Sequence, residues 1–287
     1  PMMSELTEAV HLQGAKIAVL LTPGGGAQAM GSPYETGRSG IDEPMNVGPS
    51  EIRCPVADRP VRRLSVEEIH QFVRTYGQSA LRAKKAGFDA VAIHAHAGYL
   101  ISQFLSPFFN NRDDEYGGSL ANRARFLLEL VAEVRRVNGP MMPIIVRLSA
   151  DDGIGEKGRQ IEDTVELAKM LENAGVDAID IAGGTQQVMA WVFPTIYHEK
   201  GMFTSYAGQV RLAVNIPVLV SGRMQDLEFA ESVLEKGEAR EDVLRGFFEF
   251  AGNAVPVLYE AESELNFLMD AAGKCGLKVP WTSSMDV

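Results

Sequence analysis

Gly87-Phe-Asp-Ala-Val-Ala-Ile-His94-Ala-His96-Ala-Gly-Tyr99-Leu-Ile-Ser-Gln-Phe-Leu-Ser-Pro107 is the stretch that decides the fold, and Asn110-Asn-Arg-Asp-Asp-Glu-Tyr-Gly-Gly-Ser-Leu-Ala-Asn-Arg-Ala-Arg125 completes it. Ala90 to Ile93 is short, apolar and bounded by a glycine, which predicts a buried strand. The strand runs straight into two histidines and a tyrosine. Polar, titratable groups just beyond the C-terminal end of a buried parallel strand are where α/β enzymes place their chemistry. The loop that follows mixes charges with Gly117-Gly118, and such a loop is costly to order unless side chains pin it.

Working outward, Ser65-Val-Glu-Glu68 is a capping box. It opens a helix whose apolar face carries Ile69, Phe72, Val73, Tyr76, Ala80 and Ala83, and Gly87 ends it. On the other side, Leu120 to Val137 is amphipathic and buries Phe126, Leu127, Leu130, Val131 and Val134. Strands are predicted at Ala15–Leu21, Pro143–Leu148, Val176–Ile181 and Pro217–Val220. Helices are predicted at Ser4–His11, Ile161–Asn173, Ser205–Val214 and Asp226–Lys236. Alternating strands and helices imply parallel strands joined by right-handed crossovers. Thr22 to Gly31 is a glycine-rich loop without the Gly-Lys-Ser/Thr ending of a Walker loop. Ser32 to Arg63, rich in proline and glycine, reads as an irregular excursion. Beyond Gly237, Val255-Pro-Val-Leu-Tyr259 is strand-like, but its proline argues against a central strand, and Ala261 to Ala272 reads as a helix.

The chain has 287 residues, 46% of them apolar, and a net charge of −11. One α/β barrel takes roughly 250 residues, so a single large domain is expected. The acidic balance argues against nucleic acid and against an anionic membrane surface as partners. No apolar run approaches the roughly 20 residues of a membrane span, and no secretory signal is visible at the N-terminus. The two cysteines, Cys54 and Cys275, form neither a disulfide framework nor a Cys-x-x-Cys cluster. A cytoplasmic protein is the expectation.

The Gly87–Arg125 stretch closely resembles the Old Yellow Enzyme family of FMN-dependent oxidoreductases, in the branch of 2,4-dienoyl-CoA and bile-acid-type enoate reductases. Weaker resemblance runs from about Gly14 to Gly237. It implies a TIM-type (β/α)8 barrel, with five of the strands legible here. Ala15–Leu21 would be the third barrel strand, so two strands before it and one after Gly237 are not recognised, and the barrel looks incomplete. Residues 1–238 are then the FMN-binding barrel portion and 239–287 a divergent, helical tail without an assigned role.

The resemblance also implies a reaction. NADH or NADPH reduces FMN, and the reduced flavin passes hydride to the C=C bond of an α,β-unsaturated carbonyl compound. Tyr99 would donate the proton, a task suited to a phenol that stays neutral at neutral pH. His94 would hydrogen-bond the substrate's carbonyl oxygen. The family's second donor position is Ala97 here, with His96 displaced by one. His96 can substitute, since residues two apart face the same side of an extended segment. Arg147, a cation in an apolar strand, would meet the flavin's pyrimidine edge, where a fixed positive charge favours the reduced anion; an ordinary salt bridge is the plainer reading. Gly222 and Arg223 resemble half of the family's phosphate site, and Gly183 and Gly184 would line the pocket. Trp191, Phe193 and Tyr197 would form a wall for an apolar substrate, or simply pack their loop. Leu20 and Ala27 stand where the family usually has a flavin-contacting glutamine and an arginine.

Two alternatives belong to other classes. A degenerate, non-catalytic barrel would act as a binding protein, and its uncovered sheet edges would favour homo-oligomers. His94-Ala-His96 also matches the start of a metal hydrolase site, though no later strand end carries a further histidine; no metal is expected.

Overall fold

The computed structural model describes residues 2–29, 46–54, 59–224 and 226–237, together with two short strands near the C-terminus. Helix α1 (Met2–Leu12) leads into strand β1 (Ala18–Leu21). A parallel two-stranded pair, β2 (Asn46–Gly48) and β3 (Val61–Arg63), lies within the stretch expected to be irregular. Helix α2 (Val66–Lys85), strand β4 (Ala90–Ala95), helix α3 (Leu100–Leu105), helix α4 (Leu120–Asn138) and strand β5 (Ile144–Ser149) follow. Then come helix α5 (Ile161–Asn173), strand β6 (Ala178–Ala182), the short helix α6 (Met189–Val192), helix α7 (Thr204–Arg211), strand β7 (Val218–Val220) and helix α8 (Leu227–Gly237). Strands β8 (Val257–Leu258) and β9 (Met285–Asp286) pair in parallel, apart from the main sheet. The helix expected at Ala261–Ala272 lies outside the described residues.

The main sheet is entirely parallel, in the order β1-β4-β5-β6-β7. Each of its strands pairs with the next one along the chain, without the order reversal of a doubly wound sheet. This is the winding of a barrel wall, here five strands long among the described residues. The five strands are those legible in the sequence.

One face of each strand packs on helices. Val91, Ile93 and Ala95 of β4, Ile144, Val146 and Leu148 of β5, and Ile179 and Ile181 of β6 are all buried in one core with Phe126, Leu127, Leu130 and Val131 of α4. The alternation of a strand sends Leu20, Ala92, His94, Ile145, Arg147, Ser149, Asp180 and Leu219 to the other, inner face. At the sheet's edges this face is open: Leu20 and Leu219 are each 48% exposed.

Local chemistry fixes where the helices begin and end. The Ser65 hydroxyl accepts the Glu68 N–H, and the Glu68 carboxylate accepts the Ser65 N–H at 2.8 Å. A cap of this kind contributes about 1 kcal/mol. Arg62 grips the same carboxylate with both terminal nitrogens, and holds the Glu68 pKa down at about 2, together with the Ser65 N–H. Gly87, at φ 99°, turns the chain out of α2 toward β4. The Tyr76 hydroxyl donates to the Leu21 carbonyl at 2.8 Å and ties α2 to β1.

Helix α3, like the β2–β3 pair and α6, is not revealed by any periodicity. Its six residues, from Leu100 to Leu105, are all buried, so there is no polar face to betray a helical period.

Candidate active site

The inner face of β4, β5 and β6 carries a row of polar side chains in register. His94 pairs with Arg147 across β4 and β5, and Arg147 with Asp180 across β5 and β6. Arg147 donates to the Asp180 carboxylate at 2.6 Å and to the Ser221 hydroxyl at 3.2 Å. The salt bridge weighed for Arg147 therefore exists, and it lies on the inner face at the mouth of the sheet. Asp180 escaped the sequence reading, although an aspartate between two isoleucines in a buried strand is itself a signal that a cation faces it.

Beyond β4 the chain makes a tight turn. The Tyr99 N–H donates to the His96 carbonyl at 3.3 Å, and both central residues, Ala97 (φ 60°) and Gly98 (φ 72°), are left-handed. This turn folds the Tyr99 ring back onto His94, stacked at 4.7 Å between centroids with 23° between planes. The His96 ring lies 5.4 Å from His94, edge to face. The three residues expected to act together are thus brought together, and the displaced His96 does face the same side as His94.

Both imidazoles are held neutral. Burial, aided by the charge of Arg147, lowers the His94 pKa. Burial first, then the charge of Arg147, with His94 and Arg159 acting in the same direction, pushes His96 down to about 3. A neutral imidazole offers one N–H donor and one lone pair. The Nδ1 atoms of both rings are buried without a hydrogen-bond partner, an arrangement native structures rarely keep without a use.

The charged loop of residues 110–125 is braced. Arg112, 4% exposed, donates to the carbonyls of Pro49 and Leu64 at 3.0 and 2.7 Å and grips Asp114 with two nitrogens. Arg63 bridges Asp113 and Asp114. The Tyr116 hydroxyl donates to Glu129 at 2.9 Å, Arg123 pairs with Asp163 at 2.9 Å, and Arg125 donates to the Glu115 carbonyl at 2.7 Å.

The remaining expected site residues divide. Trp191 packs on Phe203, 6.0 Å between centroids, and belongs to the wall of the core. Phe193 and Tyr197 are 68% and 91% exposed, so in place of a pocket wall this loop turns the two rings outward. Gly183 and Gly222 are required by packing: an added Cβ would stand 2.2 and 2.7 Å from the Phe203 ring. At Gly184, φ 82°, an added Cβ would stand 2.6 Å from Trp191. The Arg223 guanidinium donates to the carbonyls of Ile196 and His198 and pins that loop. A cleft of about 320 Å³ between α2 and α4, lined by His70, Val73, Arg74, Glu129, Glu133 and Arg136, shares no residue with this site. Among the described residues, no group of three or more His, Cys, Asp or Glu is placed to hold a metal. No described helix is long and apolar enough to cross a membrane.

Residues 1–240 match the model of the NADH:flavin oxidoreductase / NADH oxidase family. The chain belongs to this family. Cinnamate reductase of Clostridium sporogenes is 38% identical over 252 residues, covering 82% of this chain and 36% of that protein. NADPH dehydrogenase of Bacillus subtilis is 37% identical over 237 residues, covering 82% of this chain and 64% of that protein. The chain therefore spans between a third and two thirds of the length of these relatives. Among solved structures, a 2-naphthoyl-CoA reductase–2-naphthoyl-CoA complex superposes with a TM-score of 0.71 at 29% identity, over 82% of this chain and 36% of that one. Morphinone reductase in complex with tetrahydroNAD superposes with a TM-score of 0.62 at 28% identity, over 82% of this chain and 62% of that one. The family is one of FMN-binding, NAD(P)H-dependent oxidoreductases, and its barrel is the one whose wall is seen here.

Proposed function

We propose that this chain supplies the FMN-binding barrel portion of an NAD(P)H-dependent reductase that saturates the C=C bond of an α,β-unsaturated carbonyl compound. The observation that carries this reading is the Tyr99 ring stacked on His94 above the His94–Arg147–Asp180 row. Names among the relatives agree in chemistry, since cinnamate is an enoate and morphinone an enone.

The donor set suits the pyrimidine edge of a flavin. Arg147 presents a guanidinium fork, and Ser221 a hydroxyl beside it, to the open inner face, with His94 and Asp180 alongside in register. Leu20 offers only apolar contact there, and the Gly222 and Arg223 backbone, at the end of β7, would meet the phosphate. When bound, FMN would carry two electrons from NAD(P)H to the substrate. Arg147 would hold positive charge against the ring edge. His94 and His96, both neutral, would donate hydrogen bonds to the carbonyl oxygen as negative charge develops on it. Tyr99 would deliver a proton to the α-carbon from its hydroxyl. Gly183 leaves room for the Phe203 ring, and Gly184 for the Cβ and backbone of Trp191, which back the site.

The test is a visible spectrum of the purified protein after incubation with FMN and desalting, followed by anaerobic bleaching with NADPH or NADH and reoxidation by cinnamate or 2-cyclohexenone. Tyr99→Phe is expected to retain flavin and lose about 10²–10⁴-fold in the reoxidation step. A second reading has two observations in its favour: the Arg223 side chain is spent on loop carbonyls, and Leu20 offers the ring no hydrogen bond. A protein that never retains FMN would sink the reductase reading and leave a non-catalytic binding module in its place.

A further inference from the structure

We propose that Ser149 and Gln28 are positioning residues that clamp the backbone on both sides of Ala97 and so hold Tyr99 over His94. Ser149 is fully buried, two residues beyond Arg147 on the same face of β5. Its hydroxyl accepts the Ala97 N–H at 3.1 Å and donates to the Gly184 carbonyl at 2.9 Å. Its own carbonyl accepts from the fully buried Arg159 guanidinium. Gln28, 4% exposed, donates from Nε2 to the Ala97 carbonyl at 3.1 Å. One residue on, the Gln103 amide donates to the Gly98 carbonyl at 2.6 Å and accepts the Ala27 N–H at 3.0 Å.

The clamp has something to hold. Ala97 sits at φ 60°, a left-handed conformation that a residue with a Cβ adopts only under constraint. Strained backbone persists only where its surroundings over-determine it, and here both peptide groups flanking the Ala97 Cα are gripped by buried side chains. Released, Ala97 would relax to negative φ, and the chain direction at Tyr99 would change with it. Ser149 has no exposed surface with which to touch a substrate, so its action is through the turn. Through Gly184 the same hydroxyl also ties the end of β6 to the end of β4, and the two site-bearing loops are set against each other by a single atom.

The catalytic consequence rests on the reductase reading, but the clamp is measured without flavin. In the whole chain, NMR hydrogen exchange of the Ala97 amide is expected to be slow, as for amides inside β4; exchange at the rate of an open loop overturns the clamp. The stacked Tyr99 ring shifts the His94 ring protons upfield, and Tyr99→Leu defines their unstacked position. Ser149→Ala is expected to move them toward that position, and Ser149→Thr, which keeps the hydroxyl, to restore them. Gln28→Ala attacks the carbonyl side and is expected to act in the same direction, so the question stays decidable if Ser149→Ala does not fold. A folded Ser149→Ala or Gln28→Ala protein with wild-type His94 shifts overturns the inference. Failure to retain FMN defeats the reductase reading while leaving these outcomes intact. If FMN is retained, Ser149→Ala should lower kcat for C=C reduction by up to about 100-fold, with the Tyr99 ring displaced.

Discussion

His96→Gln should remove a specific part of the protein's acid sensitivity. His96 is 7% exposed, and burial, with the charge of Arg147 and the neighbouring His94 and Arg159, holds its pKa at about 3. In the unfolded chain a histidine titrates near about 6.5. Between these two values the unfolded state binds the proton and the folded state does not. The neutral imidazole's contribution to stability is therefore complete above about pH 6.5 and is lost progressively as pH falls toward about 3. At pH 5 the proton uptake by the unfolded chain amounts to about 2 kcal/mol. Glutamine has comparable reach and a polar amide but does not titrate. Urea unfolding at pH 7.5 and pH 5 is the assay, read as the change in unfolding free energy for each protein. The wild type should lose about 2 kcal/mol more than the variant across this interval. His94 is shifted in the same direction but is present in both proteins, so it cancels in the difference. Parallel losses in the two proteins would refute the argument, and would mean that water reaches the His96 ring freely.

Two further perturbations probe the packing behind the site and the charge upon it. Gly183→Ala places a Cβ 2.2 Å from the buried Phe203 ring and should cost about 1–3 kcal/mol in a urea titration, whereas Gly208→Ala, at an exposed position of α7 with open space around it, should be neutral or stabilise by up to about 1 kcal/mol; a tolerated Gly183→Ala would refute the packing assignment. Asp180→Asn removes the partner of Arg147 at 2.6 Å, a pair with side chains 31% and 18% exposed, and should cost at most about 1 kcal/mol of stability while making a bound flavin easier to reduce, since the uncompensated guanidinium favours the reduced anion. Spectroelectrochemical titration checks the sign, and an unchanged or lowered potential would remove Asp180 from any role in setting the charge at Arg147.

How much of this was legible in the sequence follows from which interactions are local. The five strands of the main sheet and the helices α2, α4, α5, α7 and α8 announce themselves by apolar runs and amphipathic periods, and α2 by its cap. Helix α3 is hidden because burial on all sides erases the period. The β2–β3 pair is hidden because two three-residue strands carry no periodicity, and their pairing is non-local. Within the site, Tyr99, His94, His96 and Arg147 stand out as polar groups at the ends of apolar strands. Ser149, Gln28 and Gln103 do not, since a serine after a strand and a glutamine in a glycine-rich loop are ordinary residues until the fold brings them to one turn. The glycines at 183, 184 and 222 read as pocket-lining and phosphate-contacting positions, and the packing on Phe203 and Trp191 that excludes a side chain at each is not legible, since it exists only once the chain is folded.

Arg147 shows why the plain and the functional readings of a residue need not compete. The ion pair with Asp180 removes the main objection to a guanidinium on the half-buried inner face of the sheet, namely an uncompensated charge. It does so from one side only. Asp180 and Ser221 take one terminal nitrogen each, and the side chain remains 31% exposed toward the open face of the sheet. An arginine used purely to close a structural gap would be expected to bury its fork and saturate its donors, as Arg112 does with two carbonyls and a two-nitrogen grip on Asp114. The two arginines occupy the same domain under the same packing constraints, and they differ in what they leave free. That difference places Arg112 in the scaffold and leaves Arg147 with donors on the open face, and it makes the potential shift on Asp180→Asn the sharper of the two charge experiments: a saturated arginine would be indifferent to losing one partner, and a half-committed one would not.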